Sequence, residues 1–380
     1  MTGLFWASAL LILYTYLGYA GWLWLRAWSR PWPVIRGENT PYVSIVMVVR
    51  NEEQRLDDKL RNLLELDYPP ERTQIVVVSD GSTDRTESVL REFAGDPRVQ
   101  ILMNQLTRGK ASGLNDAIGI AAGELILFTD ARQTVEPGAI RSLTENFVDP
   151  TVGCVSGALM LGDPAVGEAG KGMGLYWRIE KKIRELESAS GSVVGATGAI
   201  YAVRRELVTA IPEGTILDDV YIPMQVVRQH KRVIFEPRAR AWDAHDLGPE
   251  REFSRKVRTL TGNYQLLQLA PWLLTRQNPL RFEFFSHKLL RLAVPFGLAA
   301  LLMSSLFLRG YFYRAALLFQ IIFYALGVVA VLKLGRGTLA RISDGALTFV
   351  LLNGAAAVAF INFLTGRRPA WADVRRAGES

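Results

Sequence analysis

The stretch Gln74-Ile75-Val76-Val77-Val78-Ser79-Asp80-Gly81-Ser82-Thr83-Asp84 joins an apolar, β-branched run to a polar turn. Such a run favours a β-strand. Asp-Gly-Ser by itself is an ordinary turn signal. An acidic side chain directly after a strand can also accept hydrogen bonds from a base imide or a ribose hydroxyl, and a glycine lets the backbone turn close to a ligand. The stretch therefore predicts a strand that ends in a binding loop.

Similar apolar runs flank this stretch, and a helical pattern lies between the first two. The runs are Val43–Val49, Val99–Met103, Leu125–Thr129 and Val152–Val155, and the helical pattern is Leu56, Leu60, Leu63 and Leu64. The alternation predicts an α/β domain with a mostly parallel sheet and flanking crossover helices. In such sheets ligands bind at the carboxyl ends of the strands, so polar motifs are expected directly after the apolar runs.

Three further polar motifs match this expectation. Asn51-Glu52-Glu53 comes just after the run Val43–Val49, Asp130-Ala131-Arg132 comes directly after the run Leu125–Thr129, and Arg108-Gly109-Lys110-Ala111 opens a predicted helix. A helix start with a lysine suits an anionic or nucleotide ligand, although Lys110 alone would be read as a solvated surface charge. The glycine spacing and the Lys-Ser/Thr pair of a P-loop are missing. A carboxylate such as that of Asp130 can bind a divalent metal that bridges a diphosphate.

Two motifs lie further along the chain. Gly195-Ala196-Thr197-Gly198 is a glycine-rich turn before a predicted strand, and Leu217-Asp218-Asp219-Val220 opens a helical stretch. Considered separately, the first is an unremarkable loop and the second favours the positive end of a helix. His245 is either an additional metal or phosphate ligand or a hydrogen-bonded loop histidine.

In this order the motifs resemble glycosyltransferase family 2, whose catalytic domain has the GT-A fold. The chain is most similar to the membrane-integrated branch that contains cellulose, hyaluronan and poly-N-acetylglucosamine synthases. The resemblance covers residues 42 to about 260. It implies an inverting glycosyltransferase that moves a sugar from a nucleotide sugar, a UDP-sugar, to a hydroxyl of a growing polysaccharide or of a lipid-linked acceptor.

The resemblance also implies roles for individual residues. Glu52, Asp80 and Lys110 would hold the base and ribose of the donor, and Asp130 would bind Mg²⁺ or Mn²⁺ together with the diphosphate. Asp219 would be the catalytic base, with Asp218 in place of the family's glutamate. The acceptor sugar would lie over Gly195, Thr197 and Gly198, and Arg258 would bind the departing diphosphate.

The chain departs from the family pattern at two places. Arg132 replaces the second carboxylate of the Asp-x-Asp element, so a metal-independent variant in which Arg132 supplies neutralising charge is an alternative. Of the Gln-x-x-Arg-Trp element, only Arg258 is kept, and the tryptophan that would stack on the acceptor is replaced by Thr259. This weakens the case for processive polymerisation. A different kind of function, a catalytically silent nucleotide-sugar-binding subunit of a polysaccharide synthesis or export complex, also stays open.

The N-terminal run Leu4–Leu25 is uncharged and long enough to cross a bilayer. No basic residue precedes it and Arg26, Arg30 and Arg36 follow it, which favours a spanning helix over a signal peptide and places the following domain in the cytoplasm. Three further candidate spans are residues 288–308, 311–332 and 343–365. Four full spans would return the C-terminus to the outside, whereas its arginines favour the cytoplasm, so the number of full spans stays open.

The predicted domain organisation is therefore an alternation of membrane and water-facing parts. It comprises an N-terminal transmembrane helix (1–28), a cytoplasmic GT-A-like domain (42–248), amphipathic interface helices (249–285), C-terminal transmembrane helices (286–366) and a basic tail (367–380). The interface helices include residues 253–274, for which a soluble core helix is the alternative. The net charge of +7 is explained by basic residues at helix ends, and no motif indicates a nucleic-acid partner. Expected partners are the donor, the acceptor, membrane lipids and candidate export subunits of a cell-membrane protein.

Overall fold

The computed structural model describes residues 1–163, 167–168, 173–244 and 248–367, so His245 and the basic tail beyond Arg367 lie outside the described residues. The strands are β1 (Val43–Val49), β2 (Thr73–Asp80), β3 (Val99–Asn104), β4 (Leu125–Phe128), β5 (Thr134–Val135), β6 (Val152–Asp163), β7 (Gly167–Glu168), β8 (Tyr201–Arg204) and β9 (Arg232–Asp243). The helices are α1 (Thr2–Ser29), α2 (Leu56–Leu64), α3 (Thr86–Glu92), α4 (Lys110–Ile120), α5 (Ala139–Thr144), α6 (Met173–Ser190), α7 (Asp218–Arg228), α8 (Gly248–Leu269), α9 (Arg281–Phe307), α10 (Tyr311–Val331) and α11 (Thr338–Leu364).

The strands form one mixed sheet in the order β3-β2-β1-β4-β8-β6-β9-β5, with β7 paired to β6. The first four strands of this order run parallel. Beyond β4 the direction changes, because β8 is antiparallel to both β4 and β6, whereas β6 and β9 are parallel. The predicted GT-A-like α/β fold is confirmed, with the parallel pairing concentrated in the half of the sheet that carries the first polar motifs.

Every side chain of β1 and β2 is buried because helices cover both faces of the sheet. Alternate residues enter two separate cores: Val46 and Val78 pack on the side of α4 and α7, and Ile45 and Val77 pack on the side of α2. The register pairs Val49 with Ser79, so the loops after β1 and β2 begin at the same edge of the sheet.

Four helices are long and apolar enough to cross a membrane: α1, α9, α10 and α11. They match the four predicted segments, three of which were predicted to end one residue later than the helices do, and they indicate a membrane protein by length and composition. The main difference is at α9, which begins at Arg281 rather than near residue 288 and so carries His287 and Lys288 within its first turns.

Two more helices connect the domain with these spans. On α8, the Gln265 side chain accepts a hydrogen bond from the Ile216 backbone N–H (2.9 Å), while the neighbouring Tyr264 ring stacks on Phe363 of α11 (5.1 Å between centroids). On α6, Glu187 Oε1 accepts hydrogen bonds from the Tyr19 hydroxyl of α1 (2.7 Å) and lies 2.8 Å from His287 Nδ1 of α9. The second nitrogen of His287 lies 3.1 Å from Glu180 Oε1. The predicted interface region therefore contacts both parts, and α6 provides a second connection.

We expect Glu187→Ala to destabilise the protein by about 3 kcal/mol, because it leaves a buried histidine and a buried tyrosine hydroxyl without their shared carboxylate. Thermal unfolding of the detergent-solubilised protein measures the change. Glu185→Ala is the matched control, since Glu185 lies on the same helix in an ion pair with Lys182 whose side chain is 66% exposed. Equal shifts in the two variants would contradict a special role for the Glu187 contacts.

Candidate active site

Asp80 holds the turn that leads into α4. Its two carboxylate oxygens accept hydrogen bonds from the backbone N–H groups of Arg108 (2.8 Å) and Gly109 (2.9 Å). Gly109 has φ +94°, a conformation that other residues rarely adopt, and the Asp80 side chain is fully buried. The observed contacts of Asp80 therefore position the start of α4. Its direct contact with a nucleotide stays a prediction.

The loops after β1 and β2 are joined by cross-bonds. Asn51, at φ +53°, accepts a hydrogen bond on Oδ1 from the Thr83 backbone N–H (2.8 Å). The Glu52 backbone N–H donates to Thr86 Oγ1 (2.8 Å), and the Glu53 backbone N–H donates to Asp84 Oδ2 (3.2 Å). These bonds make one rigid unit of the two loops and hold Glu52 at the edge of the site.

Lys110 lies between carboxylates from two other elements. Its Nζ is 2.9 Å from Asp130 Oδ1, after β4, and 3.2 Å from Asp218 Oδ2, at the start of α7. The Lys110 side chain is only 15% exposed, which excludes a solvated surface charge. Burial opposes its positive charge, but the two carboxylates outweigh burial and raise the pKa of Lys110 above its ordinary value. Three predicted site residues are thus brought together by one ammonium group.

Asp130 stays ionised for the reciprocal reason. Burial acts to raise the pKa of its carboxyl, and the nearby charges of Lys110, Arg132 and Arg258 more than compensate, so the pKa lies below its usual value. The side chain is 40% exposed toward the site. The carboxylate is therefore available as an anionic ligand in a basic surrounding.

Asp219 lies beside the glycine-rich loop. Its Oδ2 accepts a hydrogen bond from the Gly198 backbone N–H (3.2 Å), and its carbonyl accepts one from the Ala196 N–H (2.7 Å). A Cβ on Gly198 would lie 3.5 Å from Asp219 Oδ2 and 3.5 Å from Asp130 Oδ2, so the two carboxylates flank one small space. Burial and the charge of Asp218 raise the pKa of Asp219 to about 6. A carboxylate with such a pKa can accept a proton near neutral pH.

The glycine-rich loop, residues 195–198, lies beside the space between the two carboxylates. Gly195 has φ +98°, and the Thr197 backbone N–H donates to Ser156 Oγ of β6 (3.1 Å). The predicted acceptor residues Gly195, Thr197 and Gly198 therefore lie next to Asp219 in space, although their role stays a prediction.

Two arginines, Arg132 and Arg258, also line the site. Arg132 pairs through Nη2 with Asp243 Oδ2 of β9 (2.7 Å), which uses part of the charge that it was expected to offer a diphosphate. Arg258 of α8 lines the site, and its Nε is buried with no hydrogen-bond partner in the described part of the chain. An unpartnered guanidinium N–H next to a cavity is suited to an anionic ligand.

Lys59 is a site residue that the sequence interpretation missed. It is 2% exposed, and its Nζ donates to Thr129 Oγ1 (3.0 Å) and to the Gln133 carbonyl (2.6 Å), on either side of Asp130. Burial lowers the pKa of Lys59 to about 7, against the attraction of Asp130. Its position among Leu56, Leu60 and Leu63 on the apolar stripe of α2 was a signal that this lysine is buried.

These groups surround a cavity of about 990 Å³, a size suited to a ligand larger than a single sugar. One end is lined by Glu52, Lys110 and Asp130, and the other by residues of the apolar helices α1, α9 and α11, among them Tyr16, Lys288 and Asn353. The cavity thus joins the edge of the sheet to the membrane helices.

The metal-ligating side chains among the described residues of the site are too few to hold a metal ion unless a bound ligand supplies further oxygen atoms. Within the described residues no group of three or more His, Cys, Asp or Glu side chains is arranged to hold a metal ion. Asp130 by itself offers one carboxylate, which fits Mg²⁺ or a similar ion that takes its other oxygens from water and a diphosphate.

A GT-A-like sheet with acidic and basic groups gathered at the ends of its parallel strands is a nucleotide-sugar-type transferase architecture. Residues 44–211 match the family model of Glycosyl transferase family 2, and the chain therefore contains a glycosyltransferase family 2 domain. The predicted family resemblance is confirmed.

Three relatives illustrate the range of this similarity. The chain is 24% identical over 242 residues to a poly-beta-1,6-N-acetyl-D-glucosamine synthase of Staphylococcus epidermidis, covering 60% of this chain and 56% of that protein. It is 24% identical over 204 residues to a beta-monoglucosyldiacylglycerol synthase of Synechocystis sp., covering 51% and 43%. The matched regions thus span about half the length of these curated relatives.

The third relative is a solved structure, mannosyltransferase PcManGT from Pyrobaculum calidifontis in complex with GDP-Man and Mn²⁺. The TM-score is 0.73 at 22% identity, covering 96% of this chain and 99% of that chain. The shared fold therefore includes the membrane helices as well as the sheet.

We expect Lys110→Met to lower the free energy of unfolding by about 3 kcal/mol at neutral pH, because it leaves the buried carboxylate of Asp218 and the partly exposed carboxylate of Asp130 without their cation. The loss should shrink as the pH falls, since the Asp130 carboxylate becomes neutral when protonated. Thermal unfolding at neutral and acidic pH measures both effects. Lys182→Met, on the exposed face of α6, is the control and should change little at either pH; a pH-independent loss for Lys110→Met would contradict the electrostatic explanation.

Proposed function

We propose that this protein is an inverting membrane glycosyltransferase that moves a sugar from a nucleotide sugar to an acceptor hydroxyl. The observation that carries the proposal is the pair of carboxylates, Asp130 and Asp219, on either side of Gly198 in one cavity. One has a lowered pKa and stays anionic, and the other has a raised pKa and is suited to proton transfer. A donor-binding group must stay anionic and a general base must accept a proton, and the different pKa values of these two carboxyls fit the two roles.

We assign the donor to the end of the cavity near β1, β2 and β4. Glu52 and Lys110 line this end, and Asp80 fixes the turn from which Lys110 projects. The family resemblance implies a UDP-sugar, whereas the structural relative holds GDP-Man, so a panel of nucleotide sugars is the appropriate test of the base. Asp130 would hold Mg²⁺ or Mn²⁺; bound there with the donor, the ion would neutralise charge on the leaving diphosphate.

The proposed reaction is a single displacement with inversion. Asp219 takes the proton of the acceptor hydroxyl. At the same time the acceptor oxygen bonds to the anomeric carbon of the donor sugar, and the bond from that carbon to the nucleoside diphosphate breaks. The departing diphosphate gains negative charge, which the unpartnered Nε of Arg258 and the ammonium of Lys110 are positioned to stabilise. Gly195, Thr197 and Gly198 would support the acceptor.

The proposal also includes the compartment, the class of acceptor and the partner proteins. We place the domain in the cytoplasm, because Arg26 lies in the last turn of α1 and Arg30 and Arg36 follow the helix. The names of the two sequence relatives include a polymer synthase and a lipid glycosylating enzyme, and either acceptor class agrees with the proposal. Export subunits stay a prediction. The silent-subunit alternative is disfavoured by the presence of Asp80, Asp130 and Asp219 together.

The direct test is incubation of the purified, detergent-solubilised protein with a panel of UDP- and GDP-sugars, Mg²⁺ or Mn²⁺, and native membrane lipids. We expect release of the nucleoside diphosphate from at least one donor and a product heavier than the acceptor by one sugar in mass spectrometry. Binding of a donor without release would support the silent subunit instead.

Asp219→Asn should lower kcat by a factor of about 10² to 10⁴, because the amide cannot accept the acceptor proton. Donor binding, measured by calorimetry, should remain nearly unchanged, since Asp219 is assigned to the acceptor. Glu213→Gln, an exposed position shortly before α7, is the matched control and should keep full activity. Wild-type turnover in Asp219→Asn would remove Asp219 from the mechanism.

Activity should rise with pH through about 6 and then level off. The raised pKa of Asp219 means that the carboxyl is protonated, and so inactive as a base, below that value. The pH dependence of kcat with saturating donor measures this limb. Donor binding should not follow the same curve; if it does, the limb belongs to the donor site and the assignment of Asp219 is wrong.

A further inference from the structure

The membrane end of the cavity carries more positive than negative charge. Its lining there includes three cations, Arg184 of α6 and Lys288 and Arg291 of α9, against one carboxylate, Glu180. Glu180 is shared by Arg291 (2.9 Å), by His287 (3.1 Å) and, more distantly, by Arg184 (3.9 Å). The local anion is therefore fully used by its existing partners.

Lys288 is the cation without a direct partner, since the two carboxylates that attract it, Glu180 and Glu187, act on it only at longer range. No hydrogen bond or ion pair within 4.0 Å of its Nζ is found among residues 1–163, 167–168, 173–244 and 248–367. It is part of a helix apolar enough to cross a membrane, where an uncompensated charge is costly and marks a functional group. An anionic ligand in the cavity would supply the missing counter-charge.

The unpaired cation lies close to the reacting groups. Lys288 and Lys110 are the two cations whose charge counteracts the rise in the pKa of Asp219. Arg184 donates to the carbonyl of Ala196 (3.5 Å), within the glycine-rich loop beside Asp219. An anionic group held between Lys288 and Arg184 would thus be a neighbour of the acceptor hydroxyl.

The cavity also reaches the surface of the membrane helices. Tyr16 of α1 and Gly345 of α11 line it and are both exposed, and both helices are long and apolar enough to cross a membrane. Between them the lining includes apolar Phe349 and Leu352. Tyr16 and Asn353 also line the passage, and the Asn353 side-chain amide donates a hydrogen bond to the Tyr16 hydroxyl across it (3.2 Å). A passage that combines apolar side chains with this polar contact and ends at a basic pocket matches an amphiphile with an apolar tail and an anionic head.

We propose that the acceptor is a phospholipid with a hydroxylated head group, which enters from the bilayer between α1 and α11 and whose phosphate is bound by Lys288. This inference rests on the proposed function. The head-group hydroxyl oxygen bonds to the anomeric carbon, its proton passes to Asp219, and the nucleoside diphosphate leaves with the electrons of the broken bond. The lipid phosphate takes no part in bond changes, because Lys288 only holds it in place.

The test uses the full-length protein reconstituted in phosphatidylcholine vesicles, with the donor found active in the panel experiment. Phosphatidylglycerol is compared with neutral diacylglycerol in the vesicles and with a soluble oligosaccharide added outside. We expect glycosylated phosphatidylglycerol as the main product. Faster transfer to diacylglycerol or to the oligosaccharide overturns the lipid-phosphate inference and leaves the proposed function standing. No transfer from any donor to any acceptor overturns both.

A variant separates phosphate binding from general folding. Lys288→Met should raise the KM for phosphatidylglycerol by about tenfold or more while leaving the KM for the donor unchanged, and Lys288→Arg should restore the wild-type value. Arg281→Met, which removes an exposed cation from the start of the same helix, is the matched control for unspecific attraction to anionic lipid. Equal effects of Lys288→Met and Arg281→Met overturn the assignment of Lys288. If Lys288→Met does not fold, the comparison of acceptors with the wild-type protein still decides.

Discussion

One ammonium group, that of Lys110, makes the rest of the site compatible with burial. Asp130 follows β4, whereas Asp218 and Asp219 begin α7, and three carboxylates gathered in a poorly hydrated space would repel one another strongly. Lys110 neutralises two of them and leaves the third with a raised pKa. Its own place depends on the turn before α4, which Asp80 fixes through two backbone hydrogen bonds. A buried aspartate thus acts on the chemistry through a turn, a lysine and two further carboxylates.

Much of this arrangement was predictable because it follows from strand register. Once parallel strands are recognised, the residues after β1, β2 and β4 must meet at one edge, and the predicted motifs at Glu52, Asp80 and Asp130 do so. The glycine-rich loop and Asp219 were placed by family resemblance, since nothing local connects residues 195–198 with residue 219. Their hydrogen bonds arise only when β8 and α7 pack together.

Other features depended on contacts that no local pattern encodes. The early start of α9 is an example, because a charged stretch at residues 287–288 looks like the boundary of a span until Glu180 and Glu187, a hundred residues earlier, are placed beside it. Arg132 is another: its departure from the family pattern suggested a free charge, whereas Asp243 on a distant strand uses much of it. Lys59 is a different case. Its helical spacing with Leu56, Leu60 and Leu63 already indicated that it is buried, but the sequence interpretation did not use this signal.

The contacts of His287 have a consequence for how such a protein can change over evolutionary time. Its two ring nitrogens face carboxylates of α6, and one of these carboxylates also binds Tyr19 of α1, so the anchor α1, the connecting helix α6 and the membrane helix α9 share one polar cluster. Exchange of α1 for an unrelated anchor would remove Tyr19 and leave the buried Glu187 with His287 as its remaining side-chain partner in the cluster. A replacement anchor is therefore favoured only if it places a hydrogen-bond donor opposite Glu187, which limits the anchors that can be combined with α6 and α9.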